Sequence, residues 1–464
     1  MPTASTSYAN GSVFSVHLRT DQSLKKLFET RTVSSQFGAN EPSFDLAVVQ
    51  FDDDGRPGIG QVDAAVARVR EVRQAPASLL AGALVVVFIH GWHHGGEWHR
   101  TASIADDQPD GDDHFHGFRR ILQSLTYREM ERPSSASGLP AGRRVIGAYL
   151  TWNGDPQSGL LGAVARLPRG SEASFWDRYG IAERIGAAHD LRETLRRIVI
   201  AVKHEPGPES PLVLIGHSMG ALMMQSAYAT LLEQGALVPP PAGAPAGPTR
   251  VISNGAPVLF PDLVLSLNSA ADSDYARRIL TAYESLGLTK VADGAQVGYN
   301  APLLVSVTSA TDTATRDWWP RARWGRLTDG HDPTLVTHSF RLQASPSGSP
   351  CLGVRGVPDF GQSWHCIHEP RPPRAATPSI LVDLPTRERT DLNDRNVEHV
   401  QYELAPRRAE WMPCLQWIFQ VPEEVIAEHN EIFQPTPRAL ILALIQISGA
   451  VASLARDWDD TFVP

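Results

Sequence analysis

The chain of 464 residues has few cysteines and no excess of basic residues. Its three cysteines, Cys351, Cys366 and Cys414, are too few for a disulfide framework. This usage is typical of a reducing compartment, so we expect a cytoplasmic protein. The net charge of -9 argues against nucleic acid as a partner, because nucleic-acid-binding domains present basic surfaces.

Apolar segments long enough to cross a membrane are also missing from the sequence. The longest apolar stretch, residues 439–455, is short for a bilayer span and contains Gln446 and Ser448, which favours a buried terminal helix. The first residues carry neither a basic nor an apolar segment, so we expect no secretory signal. Together with an apolar fraction of 42%, these features predict a globular protein without a membrane span.

Residues 211–220 combine an apolar run with the sequence Gly-His-Ser-Met-Gly. The apolar run indicates a strand buried on both faces of a parallel sheet, and the spacing of residues 221–232 predicts a packed helix. Ser218 therefore lies in the turn between them, with its Oγ directed out of the end of the sheet. A Cβ at Gly216 or Gly220 would collide with the turn or with a neighbouring strand, which explains the two glycines.

This strand, turn and helix resemble the nucleophile elbow of the α/β-hydrolase superfamily. The pentapeptide alone is a weak signal, and the flanking strand and helix are the context that the motif requires. The resemblance implies that Ser218 is a nucleophile and that the backbone N–H of Met219 is one donor of an oxyanion hole. A glycine-rich turn without chemistry is the alternative.

A second apolar strand, Ala83–Ile89, runs into the loop His90-Gly91-Trp92. In the superfamily, a His-Gly loop after an early strand supplies the second oxyanion donor. The resemblance therefore assigns this role to the backbone N–H of Trp92. The alternative is a glycine turn after a core strand.

The sequence around and after this loop is rich in histidine, and a zinc site is one interpretation. The histidines are His90, His93, His94, His99, His114 and His116. Adjacent His93 and His94 would point apart on a strand or a helix, and the sequence contains no His-Glu-x-x-His pattern. We therefore expect no metal site, and we expect no cofactor.

The remaining apolar patterns predict an alternation of strands and helices. Strands are predicted at residues 44–51, 83–89, 144–152, 250–255, 301–307 and 414–421, and helices at 62–72, 115–130, 177–203 and from Pro437 onward. This alternation indicates an α/β protein with a mostly parallel, doubly wound sheet and helices on both faces. We expect a single α/β-hydrolase domain over residues 1–464, with residues 1–43 as an N-terminal extension.

Two further residues complete the set that the resemblance implies. Asp312 follows the strand at residues 301–307, where the superfamily places its triad carboxylate, and Asp317 is the alternative. A helix cap is the purely structural interpretation of Asp312. His429 lies in the loop between the last strand and the last helix, the superfamily's position for the triad histidine. A surface histidine is the structural interpretation, and His331 and His338 are alternative bases.

A long insertion before the last strand is predicted at residues 317–413, because this segment is too long for an ordinary connection. We expect it to form a lid or a side wall. Its tryptophans, Trp318, Trp319, Trp324 and Trp364, suit either an apolar pocket or a small core of the insertion itself. Residues 379–383 predict an extra strand within it.

By this resemblance, the chain is similar to serine hydrolases that cleave carboxylic esters through an acyl-enzyme, such as carboxylesterases and lipases. Its expected partner is a small-molecule ester. The same triad also cleaves thioesters, amides and lactones, so a thioesterase or an amidase is an alternative. A hydrolase-fold binding protein without turnover is the alternative from another class.

Overall fold

A nine-stranded sheet is the central element of the computed structural model. The structure describes residues 12–20, 26–34, 44–75, 81–92, 113–130, 142–154, 170–205, 207–208, 210–237, 260–285, 302–312, 336–342, 380–385, 399–407 and 415–451. The strands are β1 (Ser12–Thr20), β2 (Lys26–Ser34), β3 (Asp45–Phe51), β4 (Ala83–Ile89), β5 (Arg144–Trp152), β6 (Leu212–His217), β7 (Leu263–Leu267), β8 (Leu304–Ser309), β9 (His338–Leu342), β10 (Ile380–Pro385), β11 (His399–Pro406) and β12 (Gln416–Val421). The helices are α1 (Gln61–Arg73), α2 (Asp113–Met130), α3 (Gly170–Ala187), α4 (His189–Val199), α5 (Met219–Glu233), α6 (Ser273–Ser285) and α7 (Pro435–Ile447).

The strand order in the large sheet is β12-β8-β7-β6-β4-β5-β3-β1-β2. All neighbouring strands are parallel except β1 and β2, which form an antiparallel pair at one edge. Strand β4 lies between β5 and β6 in this order. In its pairing with β6, Ile89 lies opposite Gly216. This pairing brings the loop after β4 next to the turn after β6.

Helices cover both faces of this sheet, which is why its central strands are buried along their whole length. On β4, Val85 and Val87 face a core that includes residues of α1, α4 and α5. The alternating residues Val86 and Phe88 face a second core built with α2 and α7. The predicted α/β class, with a mostly parallel sheet and helices on both faces, is thereby confirmed. No helix in the described part of the chain is long and apolar enough to span a bilayer.

The described strands of residues 317–413 form a three-stranded sheet, β10-β11-β9, that packs beside β12. The backbone N–H of Thr337 donates to the Ile418 carbonyl at 3.0 Å, and the rings of Phe340 and Phe419 stack with centroids 5.6 Å apart. This sheet therefore contributes to the second core. The four tryptophans of the predicted insertion lie outside the described residues, so the lid interpretation stays a prediction.

Residues 1–43, predicted as an N-terminal extension, contain β1 and β2, and β1 pairs with β3 of the large sheet. The predicted strand at residues 250–255 lies outside the described residues. Strand β7, which was not predicted from the sequence, pairs with β6. Five residues are too few for a recognisable period, so pairing with β6 and β8 identifies this strand.

The helix predicted at residues 177–203 is divided at Ala188, whose ψ of 144° is extended.

Candidate active site

Ser218 lies in the sharp turn between β6 and α5, in a backbone conformation that is rare for a residue with a side chain. Its φ and ψ are 52° and -122°. Such a conformation costs about 1–3 kcal/mol and persists only where the surroundings impose it. Here the Ser218 N–H donates to the Leu267 carbonyl at 3.0 Å, and the Ser218 carbonyl accepts from the Ala270 N–H at 3.1 Å. These bonds to the end of β7 hold the turn.

Three glycines let this turn pack tightly against its neighbours. A Cβ on Gly216 would lie 2.6 Å from the Cα of Ala221, and one on Gly220 would lie 2.2 Å from the Ile89 carbonyl oxygen. A Cβ on Gly91, in the loop after β4, would lie 2.8 Å from the Cβ of Ser218. The steric reason predicted for Gly216 and Gly220 is thus observed, and Gly91 brings the loop after β4 into contact with Ser218.

His429 lies between Ser218 and Asp312 and is hydrogen-bonded to both. Its Nε2 is 2.7 Å from Ser218 Oγ, and its Nδ1 is 2.8 Å from Asp312 Oδ2. The Asp312 side chain has no exposed surface, whereas that of His429 is 17% exposed. Because an ionised carboxylate only accepts hydrogen bonds, Nδ1 donates to Asp312 and Nε2 is left to accept from the Ser218 hydroxyl.

The three side chains meet because each follows the carboxyl end of a parallel strand. Ser218 follows β6, Asp312 follows β8, and His429 lies in the loop between β12 and α7, called the base loop (residues 422–434) hereafter. In the sheet, β7 separates β6 from β8, and β12 pairs with β8. The sequence separates Ser218 from His429 by 211 positions, and the sheet order removes that separation.

Side chains at the end of β8 hold the base loop, which has no regular secondary structure. Ser309 Oγ donates to the Ile426 carbonyl at 2.6 Å, and Thr311 Oγ1 donates to the Ala427 carbonyl at 2.9 Å. These contacts tie the base loop to the segment that carries Asp312. Asp312 and His429 are therefore held as one unit.

Two buried residues that the sequence analysis did not single out contact the backbone of His429. His217 Nε2 lies 2.8 Å from the His429 carbonyl oxygen, and Asn268 Nδ2 donates to the same oxygen at 3.0 Å. A carbonyl only accepts, so His217 carries its proton on Nε2. His217 directly precedes Ser218, and Asn268 follows β7, a strand too short for a recognisable period, so no sequence pattern indicates either contact.

His90 fixes the loop after β4, and its ring has one identifiable tautomer. Its Nε2 accepts from the Trp152 backbone N–H at 3.1 Å, so its Nδ1 carries the proton and donates to the Gly91 carbonyl at 2.8 Å. The Trp152 indole N–H in turn donates to the His90 carbonyl at 3.0 Å. His90 is fully buried and thereby sets the backbone path that leads to Trp92. It acts here as a structural residue.

The backbone N–H of Met219 belongs to the first residue of α5. Helix N-termini carry a partial positive charge, and their first N–H groups have no acceptor within the helix. Met219 directly follows Ser218, and Trp92 directly follows Gly91, which contacts Ser218. Both predicted oxyanion donors therefore belong to backbone segments that adjoin the Ser218 side chain.

His338 is separated from this site. It is the first residue of β9, its Nδ1 lies 2.8 Å from Thr337 Oγ1, and its ring lies 4.6 Å from that of Trp417 near the start of β12. Since the site lies beyond the opposite end of β12, His338 does not reach Ser218. Burial lowers the pKa of His338 to about 4, so its ring is neutral at neutral pH.

Asp317 and His331, considered above as the acid and the base, lie outside the described residues, as do His93, His94 and His99. Among the residues that the structure describes, no group of three or more His, Cys, Asp or Glu side chains is placed to hold a metal ion.

A search of curated proteins and a scan against models of protein families both found no match. One solved structure, titled "Crystal structure of an uncharacterized protein from Pseudomonas aeruginosa", aligns with 10% sequence identity and a TM-score of 0.27. The alignment covers 89% of this chain and 53% of that chain, so this chain spans about half the length of that protein. A likeness of this degree carries no argument about fold or function.

Proposed function

We propose that this chain is a serine hydrolase with an α/β-hydrolase fold that cleaves carboxylic esters through an acyl-enzyme. One observation carries the proposal: His429 bonds Ser218 Oγ at 2.7 Å through one ring nitrogen and Asp312 at 2.8 Å through the other. A hydroxyl, an imidazole and a buried carboxylate in this sequence of contacts form the arrangement that activates a serine nucleophile.

In the proposed reaction, Ser218 Oγ attacks the ester carbonyl carbon while His429 Nε2 takes the hydroxyl proton. Asp312 holds the ring with Nε2 facing Ser218 and stabilises the imidazolium that forms. The C–O bond to the alcohol then breaks, and His429 returns the proton to the leaving alcohol. A water molecule, deprotonated by His429, then attacks the acyl-Ser218 carbonyl carbon. The bond from that carbon to Ser218 Oγ breaks, His429 returns the proton to Ser218 Oγ, and the carboxylic acid leaves.

Negative charge develops on the carbonyl oxygen in both tetrahedral intermediates. The backbone N–H groups of Met219 and Trp92 are the proposed donors to this oxygen. Their placement beside Ser218 and the α5 N-terminus support this role, because fixed donors need no reorganisation when the charge appears. One such donor is worth about 3–4 kcal/mol in the transition state.

Covalent labelling with a fluorophosphonate tests the nucleophile directly, because the reagent reacts only with an activated serine. The wild-type protein should be labelled, and Ser218→Ala should abolish labelling while the protein stays folded. Ser124→Ala is the matched control, since Ser124 Oγ lies on α2 and bonds only the Arg120 carbonyl among its described contacts. Wild-type protein that is not labelled, or Ser218→Ala labelled at the wild-type rate, would contradict the proposal.

The base is tested by changing His429 and His338 separately. His429→Ala should lower kcat on a p-nitrophenyl ester by on the order of 10⁴-fold or more, because losing the base of such a triad removes most of its catalysis. His338→Ala should leave kcat within about twofold of the wild type once folding is accounted for. A panel of esters, thioesters and amides with graded acyl chains then distinguishes esterase, thioesterase and amidase activity.

A further inference from the structure

The backbone carbonyl of His429 accepts two side-chain hydrogen bonds from outside the base loop. Asn268 Nδ2 donates at 3.0 Å and His217 Nε2 donates at 2.8 Å. Asn268 follows β7 and His217 ends β6, so the donors come from two neighbouring strands of the sheet. The main chain that carries the imidazole is thereby fixed from the same sheet edge that presents Ser218.

Asn268 has a second contact, which involves the segment carrying the acid. The side-chain Oδ1 of Asn268 accepts a hydrogen bond from the Ser309 backbone N–H at 2.8 Å. The backbone N–H of Asn268 donates to the Val307 carbonyl at 2.9 Å. The side chain is fully buried. One amide group therefore connects the end of β8, just before Asp312, with the backbone of His429.

The backbone of Asn268 is in the left-handed region, with φ of 43°. Among residues with a side chain, asparagine and aspartate adopt this region most readily. Glycine would adopt it with no steric cost. An asparagine at this buried position thus supplies the amide and accepts the required backbone conformation at once.

We propose that Asn268 is a positioning residue that keeps the His429 imidazole aligned between Ser218 and Asp312. The inference rests on the proposed function, since it assigns a role in the same reaction. Asn268 acts through the carbonyl of His429 and contacts neither Ser218 Oγ nor the Asp312 carboxylate among the described hydrogen bonds. Loss of its donor leaves the backbone of His429 held by His217 alone on this side.

Asn268→Asp isolates the proposed contact. Aspartate has nearly the same shape, tolerates φ of 43° and keeps an oxygen for the Ser309 N–H, but it replaces the donor to the His429 carbonyl with an acceptor. We expect kcat to fall by between about 10- and 100-fold, because a displacement of about 1 Å at a reacting group has effects of this size. KM should stay within about twofold, because Asn268 is not proposed to contact the substrate.

Asn268→Gly separates the amide from the backbone conformation. Glycine accepts the left-handed φ without strain but has no side chain. If Asn268 is needed only for the turn, Asn268→Gly should retain wild-type kcat; if the amide positions His429, this variant should lose kcat like Asn268→Asp. It also provides a second variant should Asn268→Asp fail to fold.

The matched control is Gln225→Leu. Gln225 is another buried amide side chain. Its Nε2 donates to the hydroxyls of Ser266 and Ser269 at the end of β7, and its described hydrogen bonds do not include His429. All variants are assayed for fluorophosphonate labelling rate, for kcat and KM on a p-nitrophenyl ester, and for amide hydrogen exchange in peptides covering the base loop. The Asn268 variants should exchange faster in residues 426–431 and label more slowly, whereas Gln225→Leu should do neither.

Wild-type labelling and turnover in both Asn268 variants, alongside an unreactive Ser218→Ala, would overturn the positioning role and leave the proposed function intact. Unchanged exchange in the base loop would overturn it as well. Absence of labelling in the wild type would overturn the proposed function. In that case faster exchange in the Asn268 variants supports the contact with the base loop, and equal exchange refutes it.

Discussion

Asp312 is the residue on which the orientation of His429 depends. Its side chain is fully buried, and the ring of His429 reaches it through Nδ1 at 2.8 Å. We predict that Asp312→Asn lowers kcat on an ester substrate by on the order of 10⁴-fold, because an amide facing Nδ1 favours the tautomer with the proton on Nε2. That tautomer cannot accept the Ser218 proton.

Steady-state kinetics of purified Asp312→Asn and of Asp63→Asn test this prediction. The Asp63 side chain on α1 is 71% exposed and pairs with Arg197, so its change should leave kcat at the wild-type level. A fully active Asp312→Asn together with an inactive Asp317→Asn would assign the acid to Asp317.

At the scale of single elements, the contact between the start of α5 and the end of β4 depends on glycine. Gly220→Ala places a methyl group 2.2 Å from the Ile89 carbonyl oxygen, which is rigid backbone. We predict that this change lowers the free energy of unfolding by about 1–3 kcal/mol or more. Urea denaturation of the wild type and the variant measures the effect.

Gly180→Ala is the control for this prediction, since a Cβ on Gly180 in α3 would meet no atom within 4 Å. Gly180→Ala should raise the free energy of unfolding by about 0.5–1 kcal/mol, because alanine favours the helical conformation that glycine disfavours. A Gly220→Ala variant as stable as the wild type would show that α5 does not pack as closely on the end of β4 as described.

The small sheet β10-β11-β9 contains a second element-scale feature, the buried His338. Burial holds its pKa at about 4 in the folded protein, below the ordinary value of 6.5. Between these values the unfolded chain binds a proton that the folded protein does not, so the free energy of unfolding falls as pH decreases from about 6.5 to about 4. We predict that His338→Phe reduces this pH dependence.

Urea denaturation at pH 7 and pH 5 measures the difference for the wild type and for His338→Phe. His189→Gln is the control, because His189 is exposed to solvent at the start of α4. A wild-type loss of stability that His338→Phe leaves unchanged would assign the acid sensitivity to other groups.

At the scale of the whole molecule, a buried ion pair and the candidate site lie at opposite edges of the large sheet. The site lies at the carboxyl edge. At the amino edge, the buried Asp262 pairs with Lys203 and accepts from the Leu212 backbone N–H at 2.7 Å. Removing one member of such a pair leaves an uncompensated buried charge.

We predict that Asp262→Ala lowers the free energy of unfolding by about 3–5 kcal/mol. Its folded fraction should still label with fluorophosphonate at the wild-type rate at low temperature, since Ser218 is at the other end of β6. Glu233→Gln, which breaks the partly exposed pair with Arg278, should cost no more than about 1 kcal/mol. Equal stability of Asp262→Ala and the wild type would show that the buried pair does not stabilise the fold.

The sequence by itself determined the features that depend on local pattern. The apolar run before Ser218, the glycines at 216 and 220 and the alternation of strands and helices are sufficient to predict an α/β protein with a sharp turn at Ser218. Asp312 and His429 were predicted by resemblance to the α/β-hydrolase superfamily, which places its triad acid and base at these points in the order of elements. The fold class and the turn could be predicted without that resemblance. The reason is that buried parallel strands and packed helices have characteristic periods.

Only the tertiary structure decided which residues meet. The pairing of β12 with β8 and of β6 with β7 brings His429, Asp312 and Asn268 to one sheet edge, and no local sequence pattern identifies which strands pair. The same is true of His338, which follows Asp312 in sequence but packs on Trp417 because β9 runs beside β12. Hydrogen bonds such as that from Asn268 to His429 join residues 161 positions apart, and their geometry exists only once the sheet has formed.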